Sequence, residues 1–136
     1  MTTQPTQVPS GRLARRAGQG LTILLTLFLL VDAGMKIALV EVVVTESAKA
    51  GIPQEVILGL GVTLAVATLL YAIPPTMVLG AILLTGYFGG AVFAHLRLGD
   101  QWFPMMFAVI FGILVWLSVG LREPRLWRLM PVRTAS

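Results

Sequence analysis

Four long apolar runs take up most of this 136-residue chain and restrict the folds open to it. The runs extend over about residues 21–40, 56–73, 77–96 and 104–121. A helix needs about 20 apolar residues to cross a hydrocarbon core that is roughly 30 Å thick. Inside a bilayer every backbone polar group must be hydrogen-bonded within the protein, which leaves helices and closed barrels as the spanning structures. The sequence therefore predicts an all-α membrane protein, a bundle of four transmembrane helices.

The rest of the composition narrows the chemistry that such a bundle can perform. The chain has no cysteine and one histidine, His95. These absences exclude thiol exchange, a bis-histidine haem and a multi-histidine metal site within one chain. The sequence also lacks a nucleophile elbow, a phosphate-binding loop and paired catalytic carboxylates. We therefore expect no catalytic residue, no metal and no covalent cofactor, and we do not expect autonomous catalysis.

The positive charges are concentrated outside the apolar runs. Three arginines precede the first run and four follow the last: Arg12, Arg15, Arg16, Arg122, Arg125, Arg128 and Arg133. Because cytoplasmic loops are enriched in Lys and Arg, this pattern predicts that both termini are cytoplasmic. An even number of spans agrees with that orientation. We expect a multi-pass membrane protein whose positive charges, a net +4, lie against the lipid bilayer rather than against nucleic acid.

Changes in composition divide the chain into three predicted parts. Residues 1–19 are predicted to form a disordered basic tail, residues 20–122 the membrane domain, and residues 123–136 a basic tail lying along the lipid headgroups. The first apolar run is longer than the roughly 7–15 residues of a signal-peptide core and contains Asp32 and Lys36. We therefore expect it to be retained as a helix.

The connections between the runs differ in character. The stretch between residues 41 and 55 is polar and long enough for a short helix or an external cap. Pro74 and Pro75 predict a tight hairpin that makes the second and third spans antiparallel neighbours, because proline ends a helix and restrains the residue before it. Trp102 and Phe103 precede the fourth span and suit the aromatic belt at the membrane interface.

Asp32 and Lys36 form the most informative pair in the sequence. Their i, i+4 spacing places them on one helix face, with Lys36 about 6 Å nearer the outer side of the membrane. An ionisable side chain inside a bilayer is costly, so such residues mark functional sites by default. Two interpretations fit: a polar ligand site or proton relay, or a structural ion pair that neutralises both charges.

Further polar residues fall at a similar depth. Tyr87 and His95 share a stripe on the third span, and Glu41 and Arg97 lie near the same end of the bundle. Counting along the helices places His95 level with the segment that follows Lys36. We therefore take Asp32, Lys36, Glu41, Tyr87, His95 and Arg97 as candidate ligand-binding residues. The alternative for His95 is a hydrated residue at the interface.

Small residues mark the predicted helix contacts. Gly86 and Gly90, extended by Ala94, give the small-xxx-small spacing that allows membrane helices to approach closely. We expect this stripe to pack inside the bundle, with homodimerisation as the alternative. Gly59 and Gly61 of the second span suit the same role.

Several stretches resemble the DoxX-like family of small four-helix bacterial membrane proteins. The sequence of residues 79–100 is similar to the third-helix signature of that family. Asp32-Ala-Gly-Met-Lys36, the hairpin at Pro74 and residues 121–126 resemble other landmarks. The resemblance extends over about residues 21–131 and implies a four-helix inner-membrane fold.

This chain departs from the family pattern in its second helix. Relatives often carry a glutamate where this chain has Leu64, and an arginine where it has Pro75. If that glutamate usually partners the lysine of the first helix, the resemblance implies that Asp32 takes over this role here.

The resemblance implies two kinds of function, and the charges inside the first span suggest a third. The wider family is named after a subunit of thiosulfate:quinone oxidoreductase. This name implies that the chain is an accessory subunit of a membrane redox system, or a component of it that binds a quinone or another small lipid-like ligand. Either role implies a redox partner protein in the membrane or the cytoplasm. Other relatives act in the assembly of partner proteins, which implies a non-catalytic module. A small-solute transporter built as a homo-oligomer is the third hypothesis. Fold similarity alone does not transfer chemistry.

Overall fold

The computed structural model of the chain describes residues 10–99 and 102–129, and within these residues it is helical with no strand. The helices are α1 (Ser10–Ile37), α2 (Glu41–Lys49), α3 (Gln54–Ala72), α4 (Met77–Arg97), α5 (Trp102–Arg122) and α6 (Leu126–Leu129), with a 3₁₀ turn at Pro74–Thr76 between α3 and α4. Four of them, α1, α3, α4 and α5, are long and apolar enough to cross a membrane. The prediction of an all-α, four-span bundle is confirmed.

The first helix begins earlier than the sequence predicts. Residues 10–19 are helical, so the expected disordered tail does not hold for them, and residues 1–9 lie outside the described part of the chain. Gly18 and Thr22 of α1 lie beside the end of α5, whereas residues 11–17 are mostly exposed. There the Arg122 guanidinium donates a hydrogen bond to the Thr22 hydroxyl at 3.3 Å, and Thr22 donates to the Gly18 carbonyl at 2.8 Å.

The four spanning helices form a closed ring. α1 packs against α3 and α5, and α4 packs against the same two helices. α1 and α4 therefore lie on one diagonal of the bundle, and α3 and α5 lie on the other. We call the end of the bundle with the start of α1, the 3₁₀ turn and α6 the terminal end. The opposite end, which carries α2, is the cap end.

The hairpin between α3 and α4 has the geometry that its prolines require. Ile73 is extended, with φ −84° and ψ 121°, as the residue before a proline prefers. The Thr76 hydroxyl donates to the Leu70 carbonyl at 2.8 Å and satisfies one of the free carbonyls at the end of α3. At this turn α3 and α4 are in close contact, because a Cβ on Gly80 would collide with the backbone of Tyr71.

Polar side chains at the terminal end are buried and satisfied. Tyr71 of α3 and Ser118 of α5 are both fully buried, and their hydroxyls hydrogen-bond across the diagonal. The Ser118 hydroxyl also donates to the Val115 carbonyl at 2.7 Å. With its own proton used in that way, Ser118 accepts the proton of Tyr71. This network joins two helices that are otherwise not ring neighbours.

The described part of the predicted C-terminal tail folds back onto the bundle. The Trp127 indole N–H donates to the Gly120 carbonyl at 3.2 Å, while Leu129 is exposed. Residues 130–136 of that tail lie outside the described residues. The predicted loop around residues 41–55 contains α2, and Trp102, expected in a connection, begins α5.

Candidate functional site

Asp32 and Lys36 form an ion pair on α1. The Lys36 ammonium donates to Asp32 Oδ1 at 2.6 Å, and the side chains are 17% and 36% exposed for lysine and aspartate. The helix itself provides this geometry, since residues four apart face each other on its surface. The two charges therefore neutralise each other locally.

Helix α3 packs closely against the Cβ atom of Lys36. A Cβ added to Gly61 would lie 2.8 Å from Lys36 Cβ and 3.0 Å from the backbone nitrogen of Ile37. Any side chain larger than hydrogen would push α1 and α3 apart. Gly61 therefore positions Lys36, and the packing role expected for this glycine is confirmed.

The end of α1 turns sharply beyond this pair. Leu39 has a φ of +51°, in the left-handed region. The amide of Val40 donates to the carbonyl of Met35 at 3.1 Å, which is the bond that closes a helix with a left-handed residue at its end. Glycine usually takes that position, so a leucine there carries backbone strain of about 1–2 kcal/mol. The turn directs the chain from α1 into α2.

The ion pair lies in the wall of a cavity of about 900 Å³ at the cap end. Residues of α1, α3, α4 and α5 surround it, and α2 covers it with Val42, Val43, Glu46 and Ser47. Cavities of roughly 300–1,000 Å³ that combine an apolar lining with a few polar groups are typical of small-molecule sites. The size and lining of this cavity meet that description.

Three phenylalanines, one on α1 and two on α5, form an aromatic part of the cavity wall. The rings of Phe28 and Phe111 have centroids 4.9 Å apart, and those of Phe107 and Phe111 are 4.5 Å apart. All three rings line the cavity. Tilted aromatic contacts of this kind are favourable, and the three rings give the cavity an apolar, aromatic lining.

The structure brings four of the six candidate ligand-binding residues together. Asp32, Lys36, Tyr87 and His95 line the same cavity, with the first two on α1 and the last two on α4. Because α1 and α4 lie on a diagonal, these residues face one another across the cavity without helix contact. Their role in binding stays a prediction.

The two remaining candidates lie elsewhere. Glu41 is the first residue of α2 and Arg97 the last residue of α4, and both are exposed outside the cavity lining. Each is the terminal residue of its helix, whereas the neighbouring Val42 and His95 do line the cavity. Counting residues places a side chain at a depth, but it does not say which way the helix end turns.

The predicted small-residue contact is not at a helix interface inside the bundle. A Cβ on Gly86 or Gly90 would meet no atom within 4 Å, and both glycines, like Ala94, line the cavity. The close approaches occur at Gly61 and Gly80 instead. The expected packing of this stripe inside the bundle is therefore wrong for these two glycines, because the ring order gives α4 no partner on that face at the cap end.

Sequence reasoning missed the residues that complete the cavity. Glu46 of α2 lines it and pairs with the exposed Lys49 at 2.7 Å. Phe28, Phe107 and Phe111 looked like ordinary apolar positions of their spans. The i, i+4 spacing of Phe107 and Phe111 was an available signal for a shared face, but Phe28 joins them only through the packing of α1 on α5.

Metal binding finds no support in the described residues, where no group of three or more His, Asp or Glu side chains comes together. The titratable groups that line the cavity are the Lys36 ammonium, the carboxylates of Asp32 and Glu46, the Tyr87 phenol and the His95 imidazole. Such a set can donate hydrogen bonds to, and accept them from, a polar head group.

Comparison with known proteins gives one match. A model of the DoxX-like family matches residues 20–118, which include all four spans except the last turn of α5 and the first residues of α1. Searches of curated proteins and of solved structures gave no match.

Proposed function

The chain belongs to the DoxX-like family, and we propose that it binds a quinone, or a similar lipid-soluble molecule with a carbonyl-bearing ring, as an accessory component of a membrane redox system. The observation that carries this proposal is the meeting of a paired ammonium, a phenol and an aromatic wall in one cavity inside a membrane bundle.

Each wall of the cavity has a role in the proposed complex. Lys36 donates a hydrogen bond to a ring carbonyl oxygen, and Asp32 holds the ammonium in position through their 2.6 Å contact. Charge-assisted hydrogen bonds of this kind are stronger than neutral ones. Tyr87 is placed on α4 to donate to a second oxygen, and the ring stacks on Phe107 and Phe111. His95 supplies a further polar group at the edge of the cavity.

The redox role requires a partner. A quinone takes up or releases electrons in steps coupled to protons, and the cavity supplies groups that bind protons. The sequence has no cysteine to form an iron–sulfur or disulfide centre. Electrons therefore pass to or from a membrane or cytoplasmic partner protein.

We propose the orientation from the charges at the two ends. Arg12, Arg15 and Arg16 in the first turns of α1 and Arg122 at the end of α5 lie at the terminal end, which is then cytoplasmic by the positive-inside rule. The cap end and its cavity then face the outer side of the inner membrane. A reporter fused after residue 136 and active only in the cytoplasm tests this orientation; activity of a strictly periplasmic reporter there would reverse it.

Native mass spectrometry of protein released in mild detergent tests the binding proposal. We expect a quinone-sized adduct on the wild type that is lost in Lys36→Met. Lys49→Met is the matched control, because Lys49 is exposed and does not line the cavity. Asp32→Asn/Lys36→Met removes both charges and separates loss of binding from the effect of an unpaired carboxylate. A wild type without an adduct, also after incubation with quinone, would refute the proposal.

A second candidate function is a non-catalytic assembly module. It is favoured by the open faces of Gly86 and Gly90, which would accept a helix of a partner protein or of a second copy. This function predicts that complex formation fails with Gly90→Leu and survives Lys36→Met. Equal loss with both substitutions would argue against it.

A further inference from the structure

The cavity extends to the outer surface of the bundle between α3 and α4. Five residues of these helices line it on that side: Leu60, Thr63, Leu83, Gly86 and Gly90. Thr63, Gly86 and Gly90 are exposed, and Leu83 is 43% exposed. A residue that both lines the cavity and reaches the outside lies at an opening.

The contact between α3 and α4 changes along their length. Near the hairpin the backbones touch, because a Cβ on Gly80 would collide with Tyr71. Farther toward the cap end, a Cβ on Gly86 or Gly90 would meet nothing within 4 Å. The groove is thus closed at the terminal end and open at the cap end, where glycine leaves the gap unfilled.

The opening faces lipid rather than water. Gly86 lies about 14 Å along the helix axis from Met77, since a helix rises about 1.5 Å per residue, and this is near the middle of the 21-residue α4. At mid-span the surroundings of a membrane bundle are acyl chains. The outer rim is mostly apolar, with Leu60 and Leu83 beside the single hydroxyl of Thr63, and the polar Asp32–Lys36 pair lines the same cavity.

We propose that the gap between α3 and α4 is a lateral portal through which the ligand enters from the bilayer and through which its tail stays in the lipid. The proposal rests on the proposed function for the identity of the head group. It adds the ligand class: a long-chain amphiphile with one compact polar head, rather than a water-soluble solute. The polar head of such a ligand would lie beside the polar groups of the cavity. Its apolar tail would pass the rim into the lipid.

Carbene labelling tests the portal without any quinone. A small aryl diazirine dissolved in the bilayer is activated by light, and peptide mapping measures its insertion at Asp32, Lys36 and Tyr87. We expect labelling in the wild type and a loss of about tenfold in Gly86→Phe. Gly89→Phe is the matched control, because Gly89 is also open but does not line the cavity.

A second blocking variant protects the test against a folding failure. Thr63→Phe closes the same gap from α3, and Val62→Phe is its control on the exposed, non-lining side. Labelling of the interior that is unchanged by both blocking variants would overturn the portal and place entry at the cap end, under α2. Absence of interior labelling in the wild type would overturn it as well.

Tail length separates failure of the portal from failure of the proposed function. With purified protein, Gly86→Phe is expected to weaken binding of a quinone with a ten-carbon tail by about tenfold, and to leave binding of the tail-less head group within about twofold of the wild type. Equal weakening of both ligands would contradict the portal. Binding of neither ligand to the wild type would refute the quinone proposal, and the labelling result would still decide the portal.

Discussion

The two ends of the bundle use the same four helices, yet one end is closed and the other encloses a cavity. At the terminal end, Tyr71 reaches across the diagonal and hydrogen-bonds to Ser118. At the cap end, α4 presents Gly86, Gly90 and small alanines to the space that it shares with α1. Where a small residue faces an adjacent helix, it allows the two helices to approach closely. Where no helix lies opposite, the same small residue leaves an open space.

The two ends also differ in what their polar groups do. Buried, satisfied groups at the terminal end fix the arrangement of the helices, so the cap end can remain open without loss of the fold. The ion pair, the phenol and the aromatic wall are all in the open half. The predictions below test this division, from the largest expected effect to the smallest.

The largest effect on stability is expected from alanine substitution of two glycines, Gly80, which is in close helix contact, and Gly86, which faces open space. Gly80→Ala places a methyl group against the backbone of Tyr71, and overpacking of this kind costs about 1–3 kcal/mol or more. Gly86→Ala meets open space and gains helix propensity of up to about 1 kcal/mol. Thermal unfolding in detergent measures both. A similar loss of stability at the two positions would remove the distinction between the ends.

The buried hydroxyl pair is expected to respond unequally to the loss of each partner. Ser118→Ala leaves the Tyr71 hydroxyl buried without an acceptor, at a cost of about 1–3 kcal/mol. Tyr71→Phe costs less, because Ser118 still donates to the Val115 carbonyl at 2.7 Å. The double variant is expected to recover part of the loss, as measured in a double-mutant cycle. A Tyr71→Phe protein less stable than Ser118→Ala would contradict this donor assignment.

The ion pair at the cap end is expected to matter more for binding than for stability. Removing both charges leaves no unpaired ion in the span, so the double variant Asp32→Asn/Lys36→Met is expected to be about neutral for the free energy of unfolding, whereas Lys36→Met alone leaves the Asp32 carboxylate unpaired and is destabilising. Unfolding of Lys36→Met, Asp32→Asn and the double variant gives the coupling energy. A coupling energy well above that of the hydroxyl pair would place a principal stabilising contact in the open half.

The smallest effect concerns the strained turn beside the cavity. Leu39 adopts a φ of +51°, and asparagine tolerates that conformation better than leucine. Leu39→Asn is expected to increase the free energy of unfolding by less than about 1 kcal/mol. The thermal midpoint is therefore expected to rise slightly. Val40→Asn is the control, because Val40 has a φ of −59°. Destabilisation by Leu39→Asn would show that the contacts of the leucine side chain contribute more to stability than the backbone strain at this residue costs.

Several features of the site follow directly from the sequence. The i, i+4 spacing of Asp32 and Lys36 is enough to place both charges on one face, because helix geometry is local. The hairpin at Pro74 is equally local. Glu41 and Arg97 show the limit of the same approach, since their depth is set by counting but their direction depends on how each helix ends.

The sequence by itself determined the number of spans, the hairpin and the ion pair, since each depends on hydropathy or on residues within one turn of each other. Only the tertiary structure decided that α1 and α4 lie on a diagonal, that Gly61 and Gly80 are contacts, and that Gly86 and Gly90 border a cavity. The spacing of glycines in the sequence shows only that a second helix could approach that helix face closely. The order of the helices in the ring decides whether another helix is there to make this approach.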